Sequence, residues 1–145
     1  MTSLATADVR PATREDIPAL ADIVWAWEQE VAWKPAGPSA AEIARMINEA
    51  FDARNIYVAG NPPQGYLSFD PQTLKIGGLY VRSRGQGAGK ALMDAVKSGR
   101  DFIWLHTHVP NADAQRFYAR EGFVACGVVP CDGDAPDELR MEWRA

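Results

Sequence analysis

Residues 84–90 read Arg-Gly-Gln-Gly-Ala-Gly-Lys, with glycines alternating at 85, 87 and 89 and a helix-like run, Ala91-Leu92-Met93-Asp94-Ala95-Val96, directly behind them. Glycine loses more backbone entropy on folding than any other residue, so three of them where a helix begins need a reason. The chemistry that suits such a segment is anion binding. Bare N–H groups at a helix N-terminus, with no side chains in the way and the helix dipole behind them, cradle a phosphate. Two phosphate motifs fail here. A P-loop, G-x-x-x-x-G-K-[ST], ending at Gly89-Lys90 has Arg84 at its first glycine and Ala91 at its magnesium-binding hydroxyl. The dinucleotide fingerprint G-x-G-x-x-G finds Lys90 or Leu92 at its third glycine and wants a parallel βαβ unit, whereas the preceding segments look like a meander. A third arrangement fits: Arg84-x-x-Gly87-x-Gly89, entered from Leu79-Tyr80-Val81, turns the N–H groups of Gly85, Gln86, Gly87, Ala88 and Gly89 into one concavity suited to a pyrophosphate. Arg84 or Lys90 then adds charge at its rim. Taken alone, the segment reads equally well as a glycine-rich surface turn before a packed helix.

A second segment decides between the two. Asn111-Ala112-Asp113-Ala114-Gln115-Arg116-Phe117-Tyr118-Ala119-Arg120-Glu121-Gly122-Phe123 resembles the N-x-x-A-x-x-F-Y-x-x-x-G-F element of the GCN5-related N-acetyltransferase (GNAT) family, and the glycine loop resembles that family's Q/R-x-x-G-x-G/A coenzyme A pyrophosphate signature. One helix and one strand separate the two, as in the family. Val9-Arg10-Pro11-Ala12-Thr13 followed by Asp16 is similar to the usual opening of its members, so the resemblance spans nearly the whole chain. It implies a mixed α/β GNAT-type acyl-CoA N-acyltransferase fold: a central, mostly antiparallel, splayed sheet flanked by helices. The activity implied is transfer of an acetyl group from acetyl-CoA, a cosubstrate, without a metal, to a primary amine. A small-molecule acceptor is the first reading, with a protein N-terminus or lysine as the alternative. Homodimers are common in the family, though the sequence points to no interface.

The resemblance also implies roles. Leu79, Tyr80 and Val81 lie along the pantetheine arm, with a backbone N–H there polarising the thioester carbonyl. Arg84, Gly85, Gln86, Gly87, Ala88, Gly89 and Lys90 hold the pyrophosphate. Asn111 hydrogen-bonds the arm and can also cap its helix. Tyr118 stands beside the sulfur as the proton donor, since a thiol of pKa about 8.5 leaves more readily with a phenol of about 10 at hand; Phe117 reads as core. One departure matters. Many members place a glutamate on the strand before the glycine loop, but Lys75-Ile76-Gly77-Gly78-Leu79-Tyr80-Val81 has no acid. The base is then one of His106, His108, Glu28, Glu30 or a held water, and a non-catalytic acetyl-CoA sensor stays open as a rival. An interaction domain that binds no coenzyme is a third reading. Trp25, Trp27, Trp33 and the acidic run Asp132–Glu138 either wall an anionic acceptor pocket or serve as core aromatics and a solvated loop.

The elements that must position these groups follow from the pattern. Val9–Thr13 reads as a short strand, and Asp16 can cap a helix with Ile17, Leu20, Ala21 and Val24 inward. Ser39 with Glu42 makes a capping box for a second helix, with Ile43, Met46, Ile47, Ala50 and Phe51 inward. Strands at Ile56–Ala59, Gly65–Phe69 and Lys75–Val81 form an antiparallel meander. A helix follows the glycine loop and ends at Gly99; then come a strand at Phe102–His108, a helix from Asn111 to Glu121, and strands near Phe123–Val129 and Leu139–Trp143. The 145 residues suit a single domain over residues 7–145, at 47% apolar and 23% charged. A net charge of −4 without a basic cluster argues against nucleic acid as the main partner. No apolar stretch reaches membrane length and no leader pattern opens the chain, so a cytoplasmic protein is expected. Cys126 and Cys131 fit no metal or redox spacing and read as buried free thiols.

Overall fold

The computed structural model describes residues 8–145; the expected start of the domain at residue 7, and the first residues of the opening in which no leader was found, lie outside the described residues. The chain runs β1 (Val9–Pro11), a 3₁₀ turn (Arg14–Asp16), α1 (Ile17–Glu30), α2 (Ala40–Ala50), β2 (Asn55–Ala59), β3 (Gly65–Asp70), β4 (Lys75–Val81), α3 (Ala88–Lys97), β5 (Phe102–His108), α4 (Ala112–Arg120), β6 (Val124–Val129) and β7 (Glu138–Arg144). The strands form one seven-stranded sheet in the order β1-β2-β3-β4-β5-β7-β6, antiparallel everywhere except between β4 and β5. Among the described residues no helix is long and apolar enough to cross a membrane.

Alternation along the strands builds two cores, one on each face. Ile56, Val58 and Tyr66 face Leu20, Ile23, Val24 and Ile43 of α1 and α2. Leu67, Phe69, Ile103 and Leu105 face the other way, against Leu92, Met93 and Val96 of α3 and Tyr118 of α4. The meander and the strand Phe102–His108 fall where the pattern puts them, and Ser39 and Glu42 exchange their capping hydrogen bonds at 3.0 and 3.2 Å.

The feature that makes a site is a parting of strands. β4 and β5 pair only at Lys75–Trp104 and Ile76–Leu105. On its other side β4 matches Gly78 to Ser68 but Ile76 to Phe69, leaving Gly77 as an extra, bulged residue. A bulge bends and twists its strand, and past Gly77 the two strands diverge. Among the described residues, the backbone groups of Gly77–Val81 on that side have no neighbouring strand.

Three expectations change. Asp16 does not cap α1 with its side chain; it sits at the end of the 3₁₀ turn and reaches back, accepting from the Thr13 N–H at 2.8 Å and from both Arg10 guanidinium nitrogens at 2.8 Å. Met46 is 55% exposed, because Ile43, Ile47 and Phe51 already supply the inward stripe of α2. The cysteines are free but not buried: Cys126 is exposed on β6, an edge strand, and Cys131 is half-buried.

Asp16 makes a pH test of the fold. The Arg10 hydrogen bonds, outweighing partial burial, hold its carboxyl below the ordinary range. A group lowered in the folded state stabilises the protein above its unfolded value, about 3.9, and that contribution disappears as pH falls through the lower folded value. Asp16→Asn is therefore expected to reduce the urea-unfolding free energy by about 1–2 kcal/mol at neutral pH. The gap from wild type should close progressively in acid. A gap that persists there means Asp16 acts through packing.

Candidate active site

Where β4 and β5 part there is a cleft of about 520 Å³, walled by β4, the loop after it, α3, α4 and the inner side of α1. All the coenzyme-site residues expected from the sequence reach it: Leu79, Tyr80 and Val81 from β4; Arg84, Gly85, Gln86 and Gly87 from the loop; Ala88, Gly89 and Lys90 from the first turn of α3; Asn111 and Tyr118 from α4. The chain brings together in space two segments that lie about one helix and one strand apart in sequence.

The loop is shaped by its glycines. Gly85 and Gly87 have φ of +77° and +83°, left-handed values that side-chain-bearing residues rarely adopt. Gly87 is also the N-cap of α3, and as glycine it offers no side-chain acceptor to the first turn. The helical ladder begins with the Ala91 N–H donating to the Gly87 carbonyl at 3.0 Å, so the N–H groups of the turn before it are free of helical partners. At Gly89 a Cβ would lie 3.4 Å from the Phe117 ring, an ordinary contact, so the close passage of α4 does not by itself require glycine there.

Charge rims this loop. Arg84 pairs with Asp113 in the first turn of α4, and Asp113 also pairs with Arg116. The Arg84 hydrogen bond holds the Asp113 carboxyl below its usual range. Lys90 is turned outward to Asp94 at 3.2 Å and Glu121 at 3.5 Å. Arg82, Ser83, Asp113, Arg116 and Arg120 line the cleft too, and sequence reasoning did not single them out. Arg116 and Arg120 stand four apart on the helix that carries Asn111 and Tyr118, a spacing that places them on a common face; that was the available signal.

Asn111 caps α4, its Oδ1 accepting from the Ala114 N–H at 3.1 Å. Tyr118 is 8% exposed, its ring set against Phe117 and Phe123 at 5.5 and 5.6 Å. Burial, with a smaller contribution from Tyr80, pushes its hydroxyl above the ordinary tyrosine range, so it is held protonated. Phe117, expected as core, is partly buried against the core and also lines the cleft.

On the opposite side Ile23, Ala26, Trp27 and Glu30 of α1 face the cleft. The Tyr80 ring lies between Trp27, at 5.5 Å, and Tyr66, at 5.6 Å, and burial pushes its hydroxyl up to about 12. Trp33 packs edge-on against Trp27 at 5.9 Å and tilts against His108 at 5.2 Å. Glu28 is engaged by Lys34 at 3.1 Å. Of the two readings of the acidic run, the loop fits this cleft and the wall does not: none of residues 132–138 lines the cleft, and the Asp137 carboxylate is used to close its own loop by accepting from the Cys131 N–H at 3.1 Å. Trp25 is 43% exposed and lies off the cleft. Among the described residues no group of three or more His, Cys, Asp and Glu is placed to hold a metal ion.

No curated protein matches the sequence. Solved structures share the fold. The ribosomal-protein-alanine N-acetyltransferase from Brucella melitensis superposes with a TM-score of 0.74 at 21% identity, covering 95% of this chain and 99% of that one. The Salmonella typhimurium protein yncA, solved with its cofactor acetyl-CoA, gives 0.70 at 19%, covering 94% and 92%. A variant of the spermidine N-acetyltransferase SpeG from Vibrio cholerae gives 0.70 at 17%, also covering 94% and 92%. Residues 20–123, well over half of the chain and including both sequence motifs and the parted strands, match the model of the Acetyltransferase (GNAT) family, and the protein belongs to that family.

Proposed function

We propose that the protein transfers an acetyl group from acetyl-CoA to a primary amine of a small molecule. One observation carries the reading: a helix N-terminus stripped of side-chain acceptors and a buried, protonated tyrosine open onto the same cleft between parted strands.

The residues present fit the coenzyme. The N–H groups at Gly87–Lys90 suit a pyrophosphate, with the α3 dipole behind them and Arg84 within reach once it leaves Asp113. The unpaired edge of Gly77–Val81 offers strand-like hydrogen bonds to the amides of the pantetheine arm. Acetyl-CoA, when bound, supplies the acyl carbon as a thioester. An N–H of this β4 edge donates a hydrogen bond to the carbonyl oxygen as negative charge develops there. Asn111, held by its own cap, fixes the arm from the α4 side. The Tyr118 hydroxyl gives its proton to the departing sulfur.

The test combines calorimetry with coenzyme A and a thiol-release assay in which acetyl-CoA is offered spermidine, phenethylamine, glycinamide and an N-terminally blocked lysine amide. Saturable coenzyme binding and thiol release above the amine-free rate are expected. Binding without release for any of these amines would favour the sensor, and no binding at all would remove the reading.

A further inference from the structure

The cleft carries more positive charge than a pyrophosphate bridge needs. In a chain of net charge −4, five cationic side chains line it, Arg82, Arg84, Lys90, Arg116 and Arg120, against the carboxylates of Glu30 and Asp113. Resting on the coenzyme A reading, we propose that Arg116 and Arg120 form a second phosphate seat, for the 3′-phosphate on the coenzyme's ribose, so that the protein selects coenzyme A over its 3′-dephospho form.

The rows of α4 place this seat. Each residue turns an α-helix by about 100°, so Ala114 and Tyr118 share one row, Asp113 and Phe117 the next, and Arg116 and Arg120 a third beyond it. All six residues line the cleft. The first row carries Tyr118, the proton donor to the sulfur. The middle row meets the glycine loop: Asp113 pairs with Arg84, and the Phe117 ring lies 3.4 Å from where a Cβ on Gly89 would be. The parts of the coenzyme follow in the same order, pantetheine arm, pyrophosphate, then ribose with its 3′-phosphate. A single sugar joins the two phosphate groups, and the arginine row adjoins the row beside the pyrophosphate loop. Arg116 and Arg120 are themselves about 6 Å apart along the helix axis, so both long side chains can reach one group between them.

These arginines are available for it. Both are exposed. Arg116 shares Asp113 with Arg84, and one carboxylate between two guanidiniums leaves a positive charge uncompensated. Among the described residues the Arg120 guanidinium has no ion-pair, hydrogen-bond or ring partner. The other rim cations are engaged: Lys90 by Asp94 and Glu121, and Arg82, which donates to the Pro63 carbonyl at 3.2 Å. The ligand chemistry matches. A phosphate monoester carries about −1.5 to −2 charge at neutral pH and presents three acceptor oxygens, and the planar guanidinium fork meets two of them at once.

The deciding measurement is calorimetry of the full chain with coenzyme A and with 3′-dephospho-coenzyme A. The wild type should bind coenzyme A about 10-fold more tightly than the dephospho form. That ratio should shrink as salt rises, because exposed charges are screened. Arg120→Gln, which disturbs no partner, should cut the ratio to about 3-fold, and the Arg116→Gln/Arg120→Gln double variant should bring it to about one. Arg120→Lys, which keeps the charge and loses the fork, should fall between the wild type and Arg120→Gln. Arg45→Gln, at an exposed arginine of α2 off the cleft, should keep the wild-type ratio. If the wild type binds both forms equally, or the double variant still discriminates, the proposal is overturned while the acetyl-transfer reading stands. Should the double variant bind neither form, Arg120→Gln decides, and an undiminished ratio there overturns the proposal. A wild type that binds neither form overturns the coenzyme reading itself.

Discussion

Gly87→Val is expected to weaken coenzyme A binding by about 100-fold and to lower the thermal midpoint by only a few degrees. Space is not the reason: a Cβ at Gly87 would have nothing within 4 Å. The backbone is. At φ +83° a β-branched residue is a true outlier, worth at least 1–2 kcal/mol of strain. The exposed loop relieves this by turning the 86–88 peptides to negative φ, which carries the N–H groups of Gly87 and Ala88 out of the concavity. Charge-assisted hydrogen bonds contribute about 1.5–3 kcal/mol each, so losing two gives the predicted factor at 1.4 kcal/mol per tenfold. Gly99→Val is the control. It has φ of +76° and equally empty surroundings, but lies at the far end of α3. It should show the same small loss of stability and no loss of affinity. Equal coenzyme affinity in both variants would mean that the pyrophosphate is held elsewhere.

That experiment touches the part of the site that was legible in the sequence. A helix N-terminus and its glycines are local: three left-handed or side-chain-free positions within seven residues leave a mark no long-range contact can erase. The Ser39–Glu42 box, the Asn111 cap and the strand Phe102–His108 are legible for the same reason. The wedge is not local. Gly77-Gly78 reads as a weak strand, and only the mismatch between its pairing with β3 and with β5 turns Gly77 into the bulge that opens the cleft. The acceptor side depends on tertiary context more heavily still. Trp25, Trp27 and Trp33 look alike in the sequence, yet one is exposed, one lines the cleft and one bridges to His108. The acidic run, readable either as a pocket wall or as a solvated loop, spends Asp137 on its own loop. Cys126 looked like an interior residue, but β6 ends the sheet and its residues are mostly exposed.

The second large effect is expected from Tyr118→Phe: kcat lower by about 100-fold, with coenzyme A affinity and thermal midpoint close to wild type. The ring fits between Phe117 and Phe123, and phenylalanine keeps both contacts, so the substitution removes a hydroxyl and little else. What that hydroxyl supplies follows from its environment. Burial raises it above the ordinary tyrosine range, which disqualifies it as a base at neutral pH and guarantees that the proton is present. In water such a phenol is a poor donor to a thiolate of pKa about 8.5. In the cleft the comparison changes, because a thiolate expelled there also loses its hydration and becomes more basic by the same physics that raises the tyrosine. Donation is then close to balanced at the moment the C–S bond breaks, and unfavourable before it, so the proton serves the transition state more than the bound thioester. Wild-type kcat should consequently lack any alkaline decline attributable to Tyr118 up to about pH 10. If Tyr118→Phe turns over as fast as wild type, the sulfur takes its proton from water that reaches the wedge, and the buried hydroxyl is a packing residue with a polar tip.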